Sequence, residues 1–287
     1  MAKNQIKIGL IGGTGFYDLK HLDLTGTVRL ETPFGQPSDE YMIGKLKQRE
    51  IVFLPRHGHG HRIMPGQINH RANIWGMKKL GVTHLLSIST VGSFRDEIQP
   101  GTLVFATQYI DRTKSRTQDT FFDQIAVHIA FADPVCPILH NLLVDTARNA
   151  GIAHTPQGVY LNIEGPAFAT RAESRLYRSW GADIIGMTNI FEARLCREAE
   201  IHFAPVVQVT DYDSWKEAAV DVPTILGNLS RASSGVSTVL EKIVTEIPST
   251  GWDCECENAL AHAIVTDKAK VPPAIREHYQ LLLNKYW

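Results

Sequence analysis

Short apolar runs recur along this chain, and segments with helical spacing fall between many of them. The runs cover residues 6–11, 51–54, 84–89, 102–110, 159–163, 183–187 and 203–210. Their lengths and β-branched content fit buried strands. Between them, residues 67–80 carry Ile68, Ala72, Trp75 and Leu80 close to helical spacing, and residues 138–149 and 222–247 read similarly. Thr170-Arg171-Ala172-Glu173 is a capping-box start for a helix running to about Trp180, which Gly181 stops. Alternating strands and helices predict an α/β fold, a sheet flanked by helices. No repeat, low-complexity tract or Pro/Gly/Ser linker divides the 287 residues. One domain is therefore expected over 1–287, with 250–287 as a C-terminal helical extension in which Ile275, Tyr279 and Leu282 keep helical spacing.

The formal net charge of -1 offers no footprint for nucleic acid or an anionic membrane. No apolar run approaches the ~18 residues of a membrane span. Residues 1–5 pass straight into the first strand pattern without a signal-peptide core, so a cytoplasmic protein is expected. Four cysteines are too few for a disulfide framework. Cys254 and Cys256 form a C-x-C pair, with Cys136 and Cys196 elsewhere. Zinc sites usually show C-x-x-C spacing or companion histidines, so no metal site is expected. Free buried thiols are the default, and stabilising disulfides the alternative.

Chemistry concentrates where strands end. The run 206–210 closes on Asp211-Tyr212-Asp213, and residues at i and i+2 of an extended segment point the same way. Two carboxylates sharing a partly buried site push at least one pKa upward. Such a pair accepts hydrogen bonds from an amino group and can hold a proton for donation. Solvated turn aspartates are the competing reading. The first strand empties into Gly12-Gly13-Thr14-Gly15, which lets backbone amides approach an anion but is neither G-x-G-x-x-G nor a P-loop. After residues 51–54 come Arg56 and His57, a guanidinium fork and an imidazole donor suited to phosphate. The alternating histidines 57, 59 and 61 have no carboxylate or cysteine at ligand spacing, which disfavours a metal. Ser89-Thr90 and Gly186-Met187-Thr188-Asn189 add hydroxyls and amides, the latter at a helix start near Ile190. Four donor-rich strand ends and one carboxylate pair make a site, as ligands commonly collect at strand carboxyl ends in open α/β sheets.

In this order the pieces resemble the trimeric purine nucleoside phosphorylase family over most of the chain, from Ile8 to about Ile225. The specific stretches are Gly12-Gly13-Thr14-Gly15, Pro55-Arg56-His57-Gly58, Asn69-His70-Arg71-Ala72-Asn73, Glu164-Gly165-Pro166 with Phe168, Arg171-Ala172-Glu173-Ser174, Gly186-Met187-Thr188 and Thr210-Asp211-Tyr212-Asp213. The resemblance implies a mixed central β-sheet, a homotrimer or a dimer of trimers, and reversible phosphorolysis without a cofactor, phosphate being a co-substrate. It places Thr14, Arg56, His57, Ser89, Thr90 and Thr188 around phosphate. Met187 is expected at the ribose, Phe168 against purine or sugar, and Asp211 and Asp213 at N7 and the 6-amino group. Val222 and Ile225 match an apolar 5′ pocket, core packing being the other reading for them. His128 resembles a residue reaching across a subunit interface.

Family members acting on 6-oxopurines tend to carry Asn at the position of Asp211 and Glu at that of Ala169. Aspartate is an acceptor, as an adenine amino group requires. The expected substrate is therefore S-methyl-5′-thioadenosine, cleaved to adenine and 5-methylthioribose 1-phosphate. The alternatives are a purine nucleoside phosphorylase of broader range (adenosine, inosine, guanosine or methylthioinosine), a binding module without turnover, and a redox or metal role built on Cys254-x-Cys256.

Overall fold

The computed structural model describes residues 6–16, 22–116, 119–217 and 221–287, with the backbone alone at 230–233. Residues 1–5, and 218–220 of the loop after Trp215, lie outside the described residues. Among the described residues, eleven strands form one mixed sheet. They are β1 (Ile8–Gly12), β2 (Asp23–Val28), β3 (Tyr41–Leu46), β4 (Arg49–Pro55), β5 (His84–Ser93), β6 (Leu103–Val104), β7 (Gln108–Asp111), β8 (His154–Thr155), β9 (Val159–Asn162), β10 (Ile184–Gly186) and β11 (His202–Tyr212). The helices are α1 (His70–Lys79), α2 (Pro137–Asn149), α3 (Arg171–Ser179), α4 (Asn189–Glu198), α5 (Val222–Glu246), α6 (Pro273–His278) and α7 (Gln280–Leu283).

Strands buried on both faces explain the near-continuous apolar runs. In β4, Ile51 and Phe53 enter one core with α2 and α5, while Val52 and Leu54 enter the other with α1 and α4. The short helices beyond residue 250 add Tyr279, Leu282 and Leu283 to the second core. No described helix is long and apolar enough to cross a membrane.

Several local expectations shift. The run 102–110 is two short strands, β6 and β7, which pair with different partners. β2 and β3 carried no apolar signal strong enough to be read, β2 being largely exposed. α1 starts at His70 because the Asn69 side chain accepts from Ala72 N, and a 3-10 turn over Pro65–Gln67 precedes it. The capping box at Thr170 forms with both reciprocal hydrogen bonds.

What positions the site is a fork along β5. One edge of this strand pairs with β11 along its whole length, in parallel. The other edge is shared by two strands. β1 pairs in parallel as far as Ser87, and β10 pairs antiparallel at Gly92 and Ser93. Residues 88–91 lie between these two pairings. Because β1 and β10 run in opposite directions, their carboxyl ends, Gly12-Gly13-Thr14 and Gly186-Met187-Thr188, converge on that gap from either side.

Candidate active site

A cavity of about 370 Å³ opens at the fork. It is lined by Thr14, Arg56, His57, Ser89, Thr90 and Thr188, by Phe168 and Met187, by Asp211 and Asp213, and by Val222 and Ile225. Every site residue expected from the sequence is thus brought to one place except His128. That residue is exposed on the segment whose backbone bonds to Ala263, away from the cavity of its own chain.

At one end, β4 runs beside β1 and delivers Arg56 next to Gly13. A Cβ on Gly13 would stand 2.6 Å from Arg56 Nη1, so only glycine permits this approach. The expected guanidinium fork does not face the cavity. Arg56 spends Nε and Nη2 on the carboxylate of Glu192, at 2.5 and 2.8 Å, and Nη1 on the Ile88 carbonyl at 2.9 Å. Ser87 Oγ donates to the same carboxylate at 2.5 Å and accepts from Asn189 Nδ2 at 2.7 Å. Arg56 is therefore fixed and water-excluded as one half of a buried ion pair with Glu192. His57 also departs from expectation. Its Nδ1 donates to the Ile63 carbonyl at 2.8 Å. Burial, together with the Arg56 charge, holds the ring down at about 4, so it is neutral and offers Nε2 as an acceptor. Thr188 stands at the N-cap position of α4 without a side-chain capping bond, and it is the residue of that helix start which lines the cavity.

At the other end stand the aspartates. The register of β11 on β5 slips between Val209 and Asp211, a bulge that re-aims the strand end into the cavity. Thr210 Oγ1 donates to Asp211 Oδ1 at 2.8 Å. Burial, more than the neighbouring Asp213 charge, raises the Asp211 carboxyl to about 6. Asp213 is also raised, again chiefly by burial, and accepts from Ser174 Oγ at the first turn of α3. Neither is a solvated turn residue. Between the two ends, Val222 and Ile225 begin α5 at the cavity wall instead of joining the core, beside Leu226 and the exposed Phe168.

A hydroxyl-rich end with Thr14, Ser89, Thr90 and Thr188 and a protonatable acidic end face one cavity. Residues 7–245 match the family model described as the phosphorylase superfamily. The chain belongs to the phosphorylase superfamily.

Relatives within it are similar over nearly their whole length. An S-methyl-5′-thioadenosine phosphorylase of Geobacter sulfurreducens is 47% identical over 286 residues, covering 97% of this chain and 98% of its own. One from Koribacter versatilis is 44% identical, covering 99% and 97%. Among solved structures, a methylthioadenosine phosphorylase from an Antarctic soil metagenomic library superposes with a TM-score of 0.89 at 40% identity, covering 98% of this chain and 100% of its own. A mutant adenosine/methylthioadenosine phosphorylase of Schistosoma mansoni, in complex with methylthioadenosine, gives 0.85 at 34% identity, covering 90% and 96%. The nucleoside phosphorylase fold expected from the sequence is the fold of this superfamily member.

Supporting residues were harder to foresee. Glu192 sits inside a helix, where a lone acid ordinarily reads as a solvated face. Ser174 lay within a recognised stretch, but no local pattern ties it to Asp213. Within Asn69-His70-Arg71-Ala72-Asn73, the asparagines turn out to hold structure. Asn69 donates to the Phe34 carbonyl at 2.7 Å, and Asn73 pairs with the Ser38 amide and hydroxyl at 2.8 and 2.9 Å.

Proposed function

We infer that this protein cleaves S-methyl-5′-thioadenosine by phosphorolysis, releasing adenine and 5-methylthioribose 1-phosphate, and so acts as a pentosyltransferase. The observation that carries the reading is the buried Asp211/Asp213 pair, with Asp211 raised to about 6, at the opposite end of one cavity from Arg56 and Thr188.

In this reading phosphate lies among Thr14, Arg56, His57, Ser89, Thr90 and Thr188. The Arg56–Glu192 pair and Thr188 at the start of α4 are fixed before it arrives, so little reorganisation is needed. A dianion beside His57 favours the imidazolium and restores its second donor. The nucleoside lies above, its ribose near Met187 and its base beside Phe168. A phosphate oxygen attacks C1′ as the glycosidic bond breaks, and the bond's electron pair passes to the purine. Protonated Asp211 gives its proton to N7, neutralising the leaving group. Asp213 and the Asp211 carboxylate accept from the 6-amino group. Positioning and electrostatics carry the rate, and no metal or organic cofactor is asked to take part.

Met64, Val222, Ile225 and Leu226 make part of the cavity wall apolar. This suits a thioether better than a hydroxyl, although such a contact discriminates by only about 1–3 kcal/mol. Adenosine is then a slower substrate. The exposed apolar side chains of Phe168, Val222 and Leu226 also suit cover by a neighbouring subunit. A cytoplasmic homotrimer, or a dimer of trimers to which His128 contributes across the interface, completes the proposal.

The test is base release from methylthioadenosine, adenosine and inosine, with and without phosphate. Methylthioadenosine should be cleaved fastest and only with phosphate. Rapid hypoxanthine release from inosine would favour the broader purine range, and binding without base release would leave only a binding module.

A further inference from the structure

The fold assembles a second cluster of side chains, none of which lines the cavity. Cys136 is the N-cap of α2, His202 opens β11, and Cys254 and Cys256 flank the start of a 3-10 helix over Glu255–Asn258. The four potential ligand atoms all lie within 4.8 Å of one another. Cys136 Sγ stands 3.8 Å from Cys254 Sγ, and each of these sulfurs is 3.4 Å from His202 Nδ1. A tetrahedral zinc with bonds of about 2.3 Å to sulfur and 2.0–2.1 Å to nitrogen sets its ligands at about 3.8 Å (S to S) and about 3.5 Å (S to N). The three edges among Cys136, Cys254 and His202 match such a tetrahedron, and Cys256 Sγ lies within 4.8 Å of the other three ligand atoms.

We propose that Cys136, His202, Cys254 and Cys256 form a structural zinc site that fastens the C-terminal extension to the sheet.

Three features beyond the distances support it. The imidazole is oriented as a metal needs: its Nε2 faces Glu257 Oε1 at 3.2 Å, and with the proton donated there Nδ1 presents its lone pair to the sulfurs. A carboxylate on the far nitrogen is the usual support of a metal-bound histidine. The ring is further held by His84, stacked at 4.3 Å, and by Trp252 at 4.9 Å. Burial closes the site, since Cys136, His202 and Cys256 are all shielded from solvent. Four protein ligands with no open position make a structural centre, not a catalytic one, and three thiolates with one imidazole suit zinc.

This departs from the expectation of no metal site. The ligands come from positions 136, 202, 254 and 256, so only the C-x-C pair is local and its partners arrive through tertiary structure. On binding, each thiol gives up its proton to the buffer while His202 keeps the proton on Nε2. No oxidation is involved, which separates this reading from a disulfide.

The experiment is elemental analysis of the full chain purified under mild reductant, followed by cobalt exchange. About one zinc per chain is expected, falling below about a tenth in the double variant Cys254→Ser/Cys256→Ser. Removal of zinc by a chelator should lower the Tm of wild-type protein, and zinc should restore it. Should the double variant fail to fold, wild-type protein loaded with Co²⁺ gives an independent readout through thiolate-to-cobalt charge transfer and the intense visible bands of tetrahedral cobalt. Asp211→Asn should retain its zinc, which keeps the result independent of the phosphorolysis reading. Wild-type chains that take up neither zinc nor cobalt after reduction, or that show a disulfide among these cysteines as isolated, would overturn the proposal.

Discussion

Arg56 grips both carboxylate oxygens of Glu192 with two nitrogens, and both side chains are out of water. Removing one partner of such a pair leaves an uncompensated buried charge and costs about 3–5 kcal/mol. Glu192→Gln keeps the shape and loses the charge. We expect a lower Tm and a rise in KM for phosphate of about tenfold or more, larger than the change in KM for the nucleoside. Initial rates at varied phosphate and thermal unfolding check this. An unchanged phosphate KM would free Arg56 from its assigned place.

Asp211 should cost the fold stability at the pH where it works. Its carboxyl lies at about 6 in the folded chain against an ordinary 3.8. The folded state therefore holds the proton more tightly than the unfolded one. The associated stability is complete below about pH 4 and lost as pH rises through about 6, amounting to about 3 kcal/mol. Asp211→Asn removes the charge that burial penalises. Urea unfolding at pH 7.5 should show the variant more stable than wild type by up to that amount, even as turnover falls by about 10²–10⁴-fold. A variant that turns over normally would remove Asp211 from the mechanism.

The same carboxyl predicts a pH profile. With phosphate saturating, kcat/KM for the nucleoside should fall as pH rises above about 6, because the free enzyme loses the proton it must donate. A profile flat from pH 6 to 8 would contradict a protonated Asp211.

Gly92 is the floor beneath that carboxylate. A Cβ there would stand 2.9 Å from Asp211 Oδ2 and 3.2 Å from Ile185 Cγ2. Gly92→Ala should destabilise the chain by about 1–3 kcal/mol and depress kcat, since Asp211 must move. Phosphate KM should change less than kcat, because the three atoms nearest that Cβ belong to Asp211, Ile185 and Asp213 and to none of the proposed phosphate donors. Loss of phosphate affinity with kcat intact would place Gly92 at the wrong end of the cavity.

Ser174 orients Asp213 through a buried hydrogen bond. Ser174→Ala should raise KM for methylthioadenosine several-fold, in line with about 1–3 kcal/mol for a lost bond to a charged group. Ser174→Thr should recover part of it if the methyl group is accommodated. Equal KM values in all three proteins would detach Ser174 from base binding.

What could be read from the sequence followed from how local its signal was. β11 and its terminal aspartates announce themselves because an apolar strand ending in two acids is chemically odd. The glycine loop after β1 and the Thr188 helix start carry their donors on neighbouring residues. β2 is an exposed, polar strand, so no apolar period marks it. Glu192 is silent in sequence because its partner Arg56 lies on another element. Cys136 and His202 meet Cys254 and Cys256 only after three segments have packed. The direction of the Arg56 fork and the tautomer of His57 depend on backbone carbonyls, which no residue pattern encodes.

The fork in β5 has a mechanical consequence. The cavity interrupts the sheet and does not sit on its rim, so the two converging loops are spaced by the twist and coil of a single strand. A change of volume at Leu86 or Ile88, whose side chains face the core and not the substrate, alters that spacing and hence the reach between attacking oxygen and leaving base. Mutations in the middle of the molecule will therefore show as kinetic defects, and a screen for activity will recover core positions alongside those that line the cavity.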